Sequence, residues 1–137
     1  MTRYTIIAKI EILGQPPRKS NSRRMIPRKG LTPPRMIKSQ EALDYIESFL
    51  LQFPAKYRDR DFGSLKENLR LDIIVWYRDR RADLSIELIK DCIEESGLIK
   101  NDRYIREEHV YGFVDKENPR IKFNLMRIKG ERILPFA

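Results

Sequence analysis

Nine residues, Leu69-Arg70-Leu71-Asp72-Ile73-Ile74-Val75-Trp76-Tyr77, constrain the fold of this chain more than any other stretch. Side chains alternate along an extended backbone, so Leu69, Leu71, Ile73, Val75 and Tyr77 share one apolar face. Ile74 and Trp76 make the second face partly apolar as well, which predicts a strand in the interior of a sheet. Three further strands are predicted around it. Tyr4 to Leu13 puts Tyr4, Ile6, Ala8, Ile10 and Ile12 on one face, and Gly14-Gln15-Pro16-Pro17 ends it, because proline offers no ladder N–H. Tyr104 to Phe113 and Arg120 to Ile128 are joined by the turn-forming Asp115-Lys116-Glu117-Asn118-Pro119. Ser39 is a good helix N-cap with Glu41 in the first turn. Ala42, Leu43, Ile46, Phe49, Leu50 and Phe53 then make a core-facing helical stripe that Pro54 stops. Lys56 to Leu65 is charged and turn-rich, a connection. These elements predict one α+β domain over residues 1–137, a small mixed sheet with two main helices packed mostly on one face.

Charge is distributed unevenly over this frame. The net charge is +8, yet Arg18, Lys19, Arg23, Arg24, Arg28, Lys29, Arg35 and Lys38 fall in a stretch with no acidic residue. Without those eight, the rest of the chain carries 20 basic against 20 acidic side chains. A local excess of this kind is the footprint of a polyanion partner, nucleic acid before an anionic membrane surface. The segment, at about 14–38, holds five prolines and one short apolar island, Met25-Ile26, that can pair as a strand. It is expected to be a long basic loop or hairpin whose cations contact phosphates, having no acidic neighbours in sequence. No apolar run approaches the roughly 18 residues of a membrane span, and no signal-peptide pattern opens the chain. The single cysteine, Cys92, excludes an internal disulfide and a cysteine-based zinc cluster, which fits a reducing cytoplasm.

The acidic residues cluster where the second helix is expected, directly after the central strand and Arg78-Asp79-Arg80-Arg81. On a helical wheel with Asp83 at zero, Glu87, Asp91 and Glu94 fall within roughly 80° of it. Ile86, Leu88, Ile89, Cys92 and Ile93 lie on the opposite side, toward the sheet. Lys90 borders the acidic stripe, within reach of the same space. Like charges four residues apart repel, and hard cations such as Mg²⁺ and Mn²⁺ neutralise such a cluster. After Gly97, an expected helix C-cap, Asp102 is expected to approach the helix N-terminus if the next strand pairs with the one ending near Tyr77. The plain alternative is a solvated outer helix face. A carboxylate cluster in a polyanion binder nonetheless suits metal-assisted phosphodiester hydrolysis.

Three segments, in order, resemble the RusA-type Holliday-junction endonucleases. Pro16-Pro17-Arg18-Lys19-Ser20-Asn21-Ser22-Arg23 is similar to the family's Pro-Pro-Ser-x-Asn segment. Arg80-Arg81-Ala82-Asp83-Leu84 opens the helix after the central strand. Gly97-Leu98-Ile99-Lys100-Asn101-Asp102-Arg103-Tyr104-Ile105 is similar to Gly-x-x-x-Asp-Asp-x-x-hydrophobic. With Pro119-Arg120 before the last strand, the resemblance spans nearly the whole chain. It implies a homodimeric, Mg²⁺-dependent endonuclease that nicks a four-way DNA junction symmetrically, with Mn²⁺ as a substitute and no small-molecule cofactor. It also implies that Asp83 and Asp102 are metal ligands, with Glu87 or Asp91 as the remaining acidic ligand and Lys90 stabilising charge on the phosphate. Asn21 stands at the family's asparagine and would touch DNA, beside the basic segment and Arg80 and Arg81.

The chain departs from the family's Asp-x-Asp-Asn-x-x-Lys pattern. Aligned on Asp83, it has Ser85, Ile86 and Ile89 where an aspartate, the asparagine and the lysine are expected. Aligned from Gly97, Asp83 falls on the second aspartate and Glu87 on the lysine. The alternative these departures raise is a relative that binds junctions or other nucleic acid without cutting. The lone His109, in a predicted strand, is read as structural, because no nucleophile motif accompanies it.

Overall fold

The computed structural model describes the whole chain except Arg28, Leu31, Thr32, Arg81, Ala82, Leu84, Ser85, Pro135 and Ala137. In chain order the elements are strands β1 (Arg3–Leu13), β2 (Arg23–Ile26) and β3 (Arg35–Lys38), helix α1 (Gln40–Gln52), strand β4 (Asn68–Tyr77), helix α2 (Ile86–Glu95), and strands β5 (Ile105–Val114) and β6 (Arg120–Lys129). Four strands form one sheet in the order β1-β6-β4-β5, and β2 pairs with β3 in a separate hairpin. β6 runs antiparallel to both β1 and β4, whereas β5 runs parallel to β4, so the sheet is mixed. The chain is thus an α+β domain, as the element order predicts.

Strand β4 occupies the interior position that its composition demands. Its odd-numbered residues, Leu69 through Tyr77, are buried, and its even-numbered ones are half-buried. That buried face continues into Ile121, Phe123 and Leu125 of β6 and Ala8, Ile10 and Ile12 of β1. Ala42, Tyr45, Ile46 and Phe49 of α1 and Leu88, Ile89, Cys92 and Ile93 of α2 close the same core. Phe49 stacks on Phe123 with ring centroids 6.0 Å apart. The cap of α1 is the predicted one: the Ser39 hydroxyl accepts the Ala42 N–H at 3.1 Å. It also donates to the Asn21 carbonyl at 2.5 Å, fastening the helix start to the basic segment.

The single apolar face expected of β1 is broken by a register shift between Ile6 and Ala8. Ala8, Ile10 and Ile12 enter the core, but Tyr4 and Ile6 are exposed, and Ile7 packs inward instead. A bulge adds one residue to one strand, so the side chains before it change face.

Two features of the β4-α2-β5 crossover decide where the acidic residues go. The expected helix start at Asp83 is too early, because α2 begins at Ile86. Asp83 is held in the preceding loop, its carbonyl accepting the Tyr77 hydroxyl at 2.9 Å and its carboxylate accepting the Lys19 N–H at 2.9 Å. A carboxylate engaged with another segment's backbone competes with its use in a helix. The second feature is direction. Strand β5 pairs with β4 as expected, but in parallel, so Ile105 lies beside Leu69 and Val114 beside Tyr77.

Candidate nucleic-acid interface

Three contacts among the described residues fasten the basic segment to the loop between β4 and α2. The Gln15 side chain accepts the Arg78 N–H at 2.9 Å. Arg18 pairs with Asp79 at 3.6 Å. Lys19 donates its backbone N–H to Asp83. Pro16 and Pro17, just before these contacts, are buried, which fixes the direction in which the segment leaves the sheet. At its other root, Lys38 pairs with Asp91 at 3.8 Å. The side chains of Arg18 and Lys38 therefore do find acidic partners, supplied by a part of the chain more than fifty residues away, contrary to the expectation from local sequence.

Between these two roots lies a cavity of about 540 Å³. The basic segment contributes Lys19, Arg23 and Lys38, with Ser20, Ser22 and Met36 beside them. Helix α2 contributes Ile86, Glu87, Leu88 and Asp91. The wall is thus cationic on the hairpin side, anionic on the helix side, and apolar at Met36, Ile86 and Leu88.

The predicted metal ligands divide between two places. Glu87 and Asp91, one turn apart on α2, line the cavity, and Asp83 is tied to its wall through Lys19. Asp102 does not join them, which corrects the expected pairing of Asp83 with Asp102. Its backbone N–H donates to Glu94 near the far end of α2, at 2.7 Å. From Ile86 to Glu94 the helix advances about 12 Å at 1.5 Å per residue. The physical reason is the parallel direction of β5, which starts at the end of the sheet that α2 runs toward. Lys90 is redirected too. Its ammonium donates to Glu108 of β5 at 2.8 Å instead of facing the cavity. That hydrogen bond holds the Lys90 pKa above its ordinary value, with Asp102 and Glu87 adding to it and partial burial opposing.

Among the described residues no group of three or more His, Cys, Asp or Glu side chains stands at metal-holding spacing. Mg²⁺ is commonly held by one or two carboxylates and completed by water and substrate phosphate. Glu87 and Asp91, one turn apart on the cavity wall, fit that smaller donor set.

Of the predicted DNA contacts, Arg28 and Arg81 lie outside the described residues. Arg23, Arg24, Lys29 and Arg35 are exposed and make no ion pair among the described residues. Asn21 is exposed in the turn Lys19–Asn21, and Arg80 is exposed before α2. Sequence reasoning missed Ser20, Ser22, Met36, Ile86 and Leu88 as cavity residues. The two serines sit in the quoted Pro-Pro segment. The rest carry no signal beyond apolarity, because the docking of the hairpin brings them together. Glu108 carries none either, since its role follows from the direction of β5.

No protein-family model matches the chain, and no curated protein matches it. No described helix is long and apolar enough to cross a membrane.

Proposed function

We propose that the protein is a metal-dependent, structure-selective endodeoxyribonuclease that hydrolyses phosphodiester bonds at four-way DNA junctions. One observation carries this reading: the hairpin that holds the chain's excess positive charge is docked on the acidic face of α2, and a cavity lies between them. Exposed Arg23, Arg24 and Arg35 hold the phosphate backbone. Lys19 and Lys38 stand at the roots of the hairpin, where that backbone meets Glu87 and Asp91. A carboxylate pair facing phosphate is repulsive unless a divalent cation stands between them. Bound Mg²⁺, or Mn²⁺ in its place, would be held by Glu87 and Asp91 and would polarise the phosphoryl oxygen. The family resemblance adds a homodimer, whose two-fold axis matches that of the junction, working in recombination and repair, and the lone Cys92 fits a reducing cytoplasm.

The test is cleavage of a synthetic four-way junction with labelled arms in Mg²⁺. We expect symmetric nicks that EDTA abolishes, and loss of nicking with retained binding in Glu87→Gln/Asp91→Asn. Nicking that persists in that double variant removes the cavity as the site. Nicking lost in Asp102→Asn alone returns the site to the other end of α2.

The ion pairing of Lys38 with Asp91 and of Lys90 with Glu108, with Asp102 held apart, favours a second reading, a binding protein that does not cut. Tight junction binding without nicking in any divalent ion supports it.

A further inference from the structure

We infer that the cavity between the hairpin and α2 receives a single unpaired nucleotide of the bound DNA. Its base would lie against Met36, Ile86 and Leu88, and its phosphate at the rim formed by Lys19, Arg23 and Lys38. This rests on the proposed function only in taking DNA as the ligand.

Size is the first argument. About 540 Å³ lies within the roughly 300–1,000 Å³ typical of sites for small molecules. It is far too small for a duplex, whose major groove alone is about 12 Å wide. A surface that only follows a phosphate backbone needs cations in the open, and Arg24 and Arg35 already provide them. A half-open cavity beside the same hairpin, lined by Met36, Ile86 and Leu88 as well as by charges, serves something that leaves the backbone.

Composition is the second. The apolar side chains offer a surface to the flat faces of a base, and stacking or packing of this kind tolerates any base. The charges fix orientation. Glu87 and Asp91 repel a phosphate that enters without a divalent cation, whereas ionised carboxylates accept hydrogen bonds from exocyclic amines. The hairpin cations attract the phosphate and keep it outside. Before a divalent cation binds, the base therefore enters toward α2 and the phosphate stays by the hairpin.

Energetics make this a source of structure selectivity. Drawing a base out of a stacked duplex is costly, and the cost is least where pairing and stacking are already broken. At a branch point stacking is interrupted on one side, so drawing out a nucleotide costs less there than in the middle of an arm. Selectivity then needs no recognition of the whole junction.

The experiment uses the full chain and a four-way junction with 2-aminopurine at the crossover, or in mid-arm as a control, in EDTA so that no divalent cation occupies Glu87 and Asp91 and no cleavage occurs. Complex formation is followed separately by anisotropy. We expect a several-fold rise in 2-aminopurine fluorescence at the crossover, none in mid-arm, and loss of the rise in Met36→Trp and Ser20→Trp. Both positions are exposed, so the larger side chain fills the cavity without entering the core. A complex with no fluorescence rise at any crossover position overturns the inference and leaves the nuclease reading standing. A rise that persists in both variants overturns the cavity as its location. Failure to form a complex at all overturns the proposed function as well.

Discussion

Asp115 shows how much a single half-buried side chain settles in this molecule. One of its carboxylate oxygens accepts Nη1 of Arg120 at 2.8 Å and the other accepts the Asn118 N–H at 3.2 Å, closing the turn from β5 to β6. The Arg120 hydrogen bond, followed by the backbone donors, lowers its pKa below the ordinary 3.8. A carboxyl whose folded pKa is depressed adds stability above the unfolded value and loses it as pH falls through the folded one. Asp115→Asn is therefore expected to lower the melting temperature at pH 7 and to differ progressively less from the parent below about pH 4. Melting curves across that range check it. Cys92 makes the opposite case. Burial pushes its thiol up to about 12, with Asp91 and Glu95 adding to the shift. Since the thiolate is the reactive form, a thiol reagent at pH 8 is expected to modify Cys92 only as the protein unfolds, and fast labelling of the native protein contradicts this. The sequence reading of Cys92 as a small core residue needed only its place on the apolar face of the helix. Lys90 was not legible in the same way, because Glu108 reaches it only through a strand pairing that no local pattern encodes.

At the level of elements, periodicity reported what it physically can. The alternation in β4 and the stripe of α1 express burial on one face, save that Leu43 is exposed and Tyr45 is buried in its stead, and both elements appear within a residue or two of their expected ends. Alternation says nothing of strand direction, however, and direction is what moved Asp102 away from Asp83. Nor does it reveal a bulge, so Tyr4 and Ile6 fell on the wrong face. The end of α2 was legible through Gly97, which adopts φ of +77°, a left-handed conformation suited to a residue without Cβ. A second constraint lies in the fold. An added Cβ would stand 2.8 Å from Cα and 2.9 Å from N of Asp59, both backbone atoms of the connection before β4. That connection is hydrogen-bonded to the same loop, with the Asp61 N–H donating to the Gly97 carbonyl at 2.8 Å. Gly97→Ala is expected to cost about 2 kcal/mol, combining the left-handed penalty with displacement of the 59–62 backbone. Urea unfolding measures it. An unchanged midpoint would show that the connection yields freely.

The distribution of charge over the whole molecule can be tested without cleavage. Outside the basic segment the chain is formally neutral, so long-range attraction to a polyanion comes from the hairpin and its roots. The roots are partly neutralised at home, Arg18 by Asp79 and Lys38 by Asp91. Arg23, Arg24 and Arg35 make no ion pair among the described residues and stand exposed on β2 and β3. Each phosphate neutralised releases condensed counterions and adds roughly 0.9 to the steepness of log affinity against log salt on duplex DNA. Replacing all three arginines by glutamine is expected to reduce that slope by up to about 3, and to weaken binding to duplex and junction alike. The informative control removes the same number of charges elsewhere, at Lys56, Lys66 and Lys100, which are exposed in connections remote in sequence from the hairpin. Net charge falls equally in the two variants. If affinity reflects net charge alone, both slopes fall together. If the hairpin is the surface that meets the phosphates, only the arginine variant changes slope, because counterions are released where phosphates are contacted. Equal slopes in the two variants would remove the hairpin as the DNA-binding element, and with it the physical basis for placing a cutting site beneath it.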